Sequence, residues 1–298
     1  MALLLDFICG EDAADGSSAA PTLLLRVITW LWLPLQAAVI VTGLIAVTAK
    51  LDWHTLYVTS IGVGAISGMF GIPVAHELMH RQSTAERTLA EVQMAMFSYA
   101  HFCIEHVEGH HVNVGLRQDP ATARSGESLY EFLPRSIGGG FVHAFRLESQ
   151  RLVSLGVPQI GIQNRMLRYL ALQGAVYALV VWLFGLRGTI FFAAQSAVGI
   201  LIIEVINYVE HYGLTRRDHE PVTDRHSWNS SHRISNWLMF NVPRHSDHHA
   251  DANRPYSLLR HAGGDRQLPA GYFAMFVLAL FPPLWQRVMD PLLMLESQ

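Results

Sequence analysis

No charged residue falls between Arg26 and Lys50, and none between Asp52 and Glu77. A helix crossing roughly 30 Å of hydrocarbon at about 1.5 Å per residue needs about 20 apolar residues in a row. Both runs meet that requirement, as do Tyr169 to Leu186 and Thr189 to about Val209, which the Gly185 to Gly188 turn separates. The four runs predict two hairpins of transmembrane helices. Pro34 is expected to kink the first helix, because the run has no room for a second one. In the second run small residues crowd together: Gly62, Gly64, Ala65, Ser67, Gly68 and Gly71. Two other apolar pieces do not qualify. Val92 to Ile104 is too short, and Ala270 to Trp285 is interrupted by Pro282 and Pro283. Both are expected to be re-entrant, interfacial or packed against the bundle.

Composition agrees, with 51% hydrophobic and 15% charged residues across 298 positions. The expected fold is an all-α integral membrane protein in one domain, residues 1–298. Its N-terminus has an acidic, small-residue stretch where a cleavable signal would carry basic residues. The net charge of −3 and the scattered arginines do not describe a nucleic-acid-binding chain. Two cysteines, Cys9 and Cys103, are too few for a thiolate metal centre. Lys50 and Arg187 alone mark the two inter-helix turns, whereas Arg81, Arg87, Arg117, Arg124, Arg135, Arg146, Arg216, Arg217, Arg225, Arg233 and Arg244 lie in the other segments. By the positive-inside rule the arginine-rich side is cytoplasmic.

The second and fourth runs both end in histidine on that side. HELMH places His76 and His80 four residues apart, on one helical face. The same string fits the HExxH zinc-protease pattern. In EHVEGHH, His106 and His110 repeat the spacing and His111 follows about 100° round, where it would reach a second metal. RHSDHH carries His245, His248 and His249, and NYVEHYGL supplies His211, which alone would read as an interfacial anchor. Nine neutral imidazoles are expected to hold two metals with four or five nitrogens each, and nitrogen alone leaves iron, zinc, copper and nickel open. The outer nitrogens of such ligands usually donate to carboxylates, and the candidates beside them are Glu77, Glu105, Glu210 and Asp247, with Asn207 nearby. His54, His101, His143, His219, His226, His232 and His261 lack the spacing and are expected to serve surface or packing roles.

HELMHR, EHVEGHH, NYVEHYGL and RHSDHHA together resemble the four signatures of the membrane-bound, non-haem di-iron alkane 1-monooxygenases, within a superfamily of desaturases and hydroxylases. The resemblance runs from about Asp6 to Asn253, and DPATARSGESLYEFLPRS is similar to the linker after the second signature. It implies two iron ions on histidine ligands alone, terminal hydroxylation of n-alkanes or alkyl groups with dioxygen, and a place in a bacterial inner membrane. The electrons would come from rubredoxin and an NADH-dependent rubredoxin reductase, since the chain has no flavin, dinucleotide or rubredoxin motif of its own. Such relatives have six transmembrane helices, so the expected missing pair would precede Met1. Gly64, Gly68 and Gly71 are candidates to line a substrate channel, and Gly64xxxGly68 is equally a helix-packing motif. An acyl-chain desaturase or hydroxylase, a xylene-type methyl monooxygenase and a histidine-lined metal transporter are the rival readings.

Overall fold

The first two apolar runs fold as two helices joined by a three-residue turn. In the computed structural model, which describes residues 2–12, 22–261 and 266–294, the first helix is Leu23–Ala49 and the second rod is Trp53–Met79. Thr22 caps the first, its hydroxyl accepting from the Leu25 N–H, and Asp52 caps the second through Thr55 at 2.7 Å. Pro34 lies inside a single uninterrupted helical element. Both belong to a compact unit made of Thr22–Val107 and Phe141–Ile203.

The third long element, Arg165–His211, counts 47 residues, about 70 Å if straight and more than twice a hydrocarbon layer. It is not straight. Gly185 breaks it at φ 61°, a conformation that favours glycine. The rings of Tyr177 and Phe192, about 22 Å apart along a straight helix, lie 5.1 Å apart, so the arms double back on each other. Arg187 fastens the two closing turns together: its side chain donates to the carbonyl of Val47 at 2.6 Å, to that of Lys50 at 3.2 Å and to that of Asp52. Ile40, Leu44, Val47, Leu56, Val63, Val180, Phe191 and Phe192 are buried between these helices, while Leu31, Ile45 and Trp182 face outward. By length and composition, three helices of the described residues can cross a membrane: Leu23–Ala49, Trp53–Met79 and Arg165–His211.

The short apolar piece at Val92 to Ile104 is interior to this unit. Ala95, Ala100 and Ile104 pack against Ala144, Met166 and Tyr169. The other piece belongs to a second unit, made of Met1–Pro21, Glu108–Gly140 and Glu204–Gln298 as far as these are described. There the tandem prolines start a new helix: Tyr272–Ala279 ends, and Pro282–Met294 follows with Trp285 buried against Tyr208 and Tyr212. This second unit is mostly short helices and loops, including Arg233–Leu238 and His245–Ala250.

Three glycines of the second rod are seams. A Cβ on Gly64 would stand 2.6 Å from Val198 Cβ and 2.7 Å from the Gln195 carbonyl oxygen; on Gly68 it would stand 2.9 Å from Ile202. On Gly71 it would meet Trp32, Gln36 and Gln93 within 2.7 to 3.3 Å. At these three positions the space a side chain would need is already taken by neighbouring groups, and at Gly64 and Gly68 this is the packing role of the GxxxG pattern. Gly62, with nothing within 4 Å, is the natural comparison. Gly64→Ala is expected to lower the thermal midpoint in detergent by several degrees, a loss of about 1–3 kcal/mol, and Gly62→Ala to leave it unchanged or slightly raised.

Candidate metal centre

Four imidazoles converge in the second unit, each delivered by a different stretch of chain or a different helical turn. His110 ends a π-helical turn, Glu105–His110; His211 ends the long element; His245 and His249 occupy successive turns of His245–Ala250. That last helix is aligned by Asn229, whose side-chain oxygen accepts from the Ser246 N–H at 2.9 Å. All four rings are buried. Their Nε2 atoms face one another: His110 to His211 at 3.1 Å, His211 to His245 at 3.1 Å, His245 to His249 at 3.0 Å. Nitrogens bound to one ion at about 2.1 Å and at right angles lie about 3.0 Å apart. The donor set therefore fits a single transition-metal ion.

The outer nitrogens explain why the inner ones are available. His211 Nδ1 lies 3.1 Å from the His226 carbonyl, which can only accept, so the ring proton sits on Nδ1 and Nε2 keeps its lone pair. His110 does the same through Asp119, whose Oδ2 accepts from Nδ1 at 2.8 Å and from the Thr122 hydroxyl at 2.6 Å. Burial pushes the Asp119 carboxyl up, but the His110 ring and the hydrogen bonds from His110 and Thr122 outweigh it and hold the group below its usual range. Burial, and after it His111, His245, His110 and His211, pushes His249 well below the usual imidazole range. A neutral ring is the form a metal takes.

A second set, His76, His80 and His106, lies in the other unit. Ring centroids there are 5.1 Å apart for His76 and His80, 4.6 Å for His76 and His106 and 5.2 Å for His80 and His106, with Phe102 stacked on His106. His111 pairs with His248, Nε2 to Nε2 at 3.0 Å. Their four-residue spacing places His106 and His110 on one face of a regular helix. They belong to separate sets, because the turn between them is π-helical and its wider winding aims the rings differently.

Of the candidate supporting groups, Glu210 lies against a ring of the four-histidine cluster, 3.2 Å from His245 Nε2. Asp247 is instead taken by arginines, accepting from Arg254 at 2.6 Å and from Arg260 at 3.0 Å. Glu77 pairs with Arg81, Glu105 meets His143 at 3.2 Å, and Asn207 is buried beside the site's helix end. His101 is a packing residue against Tyr99 and Phe141, pushed down to about 4 by burial. Asp119 and the His226 carbonyl escaped the sequence reading, since an aspartate nine positions past His110 and a backbone oxygen carry no periodic mark. The two histidines of HELMH close on His106, and Glu77, the general base an HExxH protease would need, is paired with Arg81.

Residues 51–279, which contain all nine motif histidines, match the family model described as fatty acid desaturase. Alkane 1-monooxygenase 1 of Pseudomonas aeruginosa is 40% identical over 97% of this chain and 79% of its own length. The alkane 1-monooxygenase of Ectopseudomonas oleovorans is 38% identical over 97% of the chain and 74% of its own. The xylene/toluene monooxygenase hydroxylase component of Pseudomonas putida is more distant, 31% identical over 74% of the chain. Identity at this level, sustained across nearly the whole sequence and joined to buried imidazoles spaced for metal, places the chain in the alkane 1-monooxygenase family.

Proposed function

We infer that the protein is a terminal alkane hydroxylase, which uses dioxygen, two electrons and two protons to convert a terminal methyl group into a primary alcohol and water. What carries this reading is the four-imidazole cluster in a chain whose relatives, at 36–41% identity, bear the name alkane 1-monooxygenase. His110, His211, His245 and His249 would hold one iron; by count, the other five of the nine, His76, His80, His106, His111 and His248, are left for a second. Bound there, the irons would supply the activation of dioxygen and the removal of hydrogen from the methyl group. The chain supplies geometry: Asp119 and the His226 carbonyl fix two rings in the tautomer that frees Nε2. A terminal C–H is the strongest in an alkane, so preference for it is a matter of which carbon is presented. The apolar helices favour a substrate drawn from the bilayer.

The same reading sets the protein in a bacterial inner membrane as four transmembrane arms, the element that doubles back at Gly185 counting twice, with the metals on the cytoplasmic side. Rubredoxin, reduced by an NADH-dependent reductase, is the electron donor it implies. Arg216, one of the arginines suited to steer an acidic donor, is occupied in structure, donating to the Val114 carbonyl at 2.8 Å and the Glu220 carbonyl at 2.6 Å. Arg217 and Arg225 are exposed and free to attract a partner by charge.

Three measurements check this. With octane, dodecane and a fatty acyl substrate, the purified protein supplied with rubredoxin and its reductase is expected to yield 1-octanol and 1-dodecanol; alkene without alcohol would show a desaturase instead. His211→Ala is expected to lose about one iron per chain, with alcohol formation down at least ~100-fold, whereas the exposed His54→Ala keeps both; equal iron in the two variants rejects the ligand assignment. Reversing charge at Arg217 and Arg225 to Glu is expected to raise the KM for rubredoxin roughly tenfold at low salt, the difference shrinking at high salt.

A further inference from the structure

Glu210 holds its carboxylate in an unusual way. Asp119 serves the outer nitrogen of its histidine, as a supporting carboxylate ordinarily does. Glu210 Oε2 instead lies 3.2 Å from His245 Nε2, the nitrogen that also faces His211 and His249. Its other oxygen, Oε1, accepts from the Tyr272 hydroxyl at 3.0 Å. Tyr272, Glu210 and His245 are each at most 4% exposed.

We propose that Tyr272 is a positioning residue for the four-histidine metal site, its phenol fixing the Glu210 carboxylate so that one oxygen points at the ligand nitrogens. A glutamate side chain rotates freely about its last bond unless one oxygen is anchored. The phenol is the anchor here, and the phenol is itself held. The Tyr272 N–H donates to the Ser235 hydroxyl at 3.0 Å; that hydroxyl donates to the Asp6 carboxylate, whose other oxygen accepts from the Ser235 N–H at 2.8 Å. Asp6 belongs to Ala2–Cys9, and its carboxylate lies where a side chain on Gly271 would have to go. A chain of buried contacts thus runs from the first helix through Ser235, Tyr272 and Glu210 to His245. Without the phenol the carboxylate is released either to turn into the ligand set or to turn away, and each alters the surroundings of one metal while leaving the other's alone.

The inference rests on the di-iron reading, so the experiment begins with wild-type protein loaded with 57Fe: absence of bound iron defeats that reading, and the spectrum of the bound irons is the reference for this one. Tyr272→Phe is expected to retain both irons and to shift one of the two Mössbauer quadrupole doublets, with kcat for alcohol formation down ~10-fold at unchanged KM. Glu210→Gln should move the same doublet. Tyr169→Phe, which removes an equivalent phenol hydrogen bond to Glu91 at 2.7 Å, should move neither. A Tyr272→Phe spectrum superimposable on wild type, or one shifted no more than that of Tyr169→Phe, overturns the assignment. If Tyr272→Phe does not accumulate, Ser235→Ala, which loosens the Tyr272 backbone, is read in the same way: the same doublet moves or the assignment falls.

Discussion

Four imidazole nitrogens are held about 3 Å apart in a buried space, and the unit that carries them is arranged around making that tolerable. Neutral rings are required, because clustered imidazolium groups out of water repel one another and lose their hydration. Each ring also has a second nitrogen to satisfy, and how it is satisfied determines which nitrogen keeps a lone pair for metal. A carboxylate and a backbone carbonyl provide this for His110 and His211. At these two rings the acceptor behind determines what the ring offers in front.

This explains why so much irregular chain surrounds a few histidines. The segment from His226 to Ser231 has little regular structure and is almost entirely buried. Its backbone and side chains stitch the end of the long helix to the RHSDHH helix. The Trp228 N–H donates to the Glu210 carbonyl at 2.8 Å and its indole N–H to the Tyr212 carbonyl at 2.9 Å, while the Ser230 N–H donates to the Pro243 carbonyl at 2.9 Å. Buried loop of this kind would be costly if its polar groups went unmet. Here those groups are the attachment points, so the loop can be both buried and rigid.

The parts legible from sequence are those that depend on neighbours along the chain. Uncharged runs gave the long helices, the Gly185 turn gave the reversal, and histidines at three- and four-residue steps marked the rings that cluster. What stayed hidden depends on partners far away. Asp247 is expected among the supporting carboxylates because it sits among three histidines, yet it is buried against Arg254 and Arg260, which capture it. Asp119, Ser235 and Tyr272 sit in no pattern, and their roles exist only once distant stretches meet. Gly64, Gly68 and Gly71 suited both open space and tight packing, and only the helices opposite them show that the space is filled.

The π-helical turns show a third kind of information, intermediate between local and distant. One interrupts the second rod at Ser67–Gly71 and the other carries EHVEGH at Glu105–His110. A π turn accommodates one extra residue without breaking the helix, so everything beyond it is rotated by about 100° relative to what precedes it. Gly64 and Gly68 can then face Val198 and Ile202 while His76 and His80, farther along the same rod, face His106. A regular helix would tie the direction of the histidines to that of the packing seam. The inserted residue uncouples them, and at the end of this turn the Gly71 carbonyl accepts from the Gln93 side chain at 2.6 Å. The two demands on this rod, to pack against a neighbour and to present ligands, are met by separate faces set at an angle the chain fixes with a single residue.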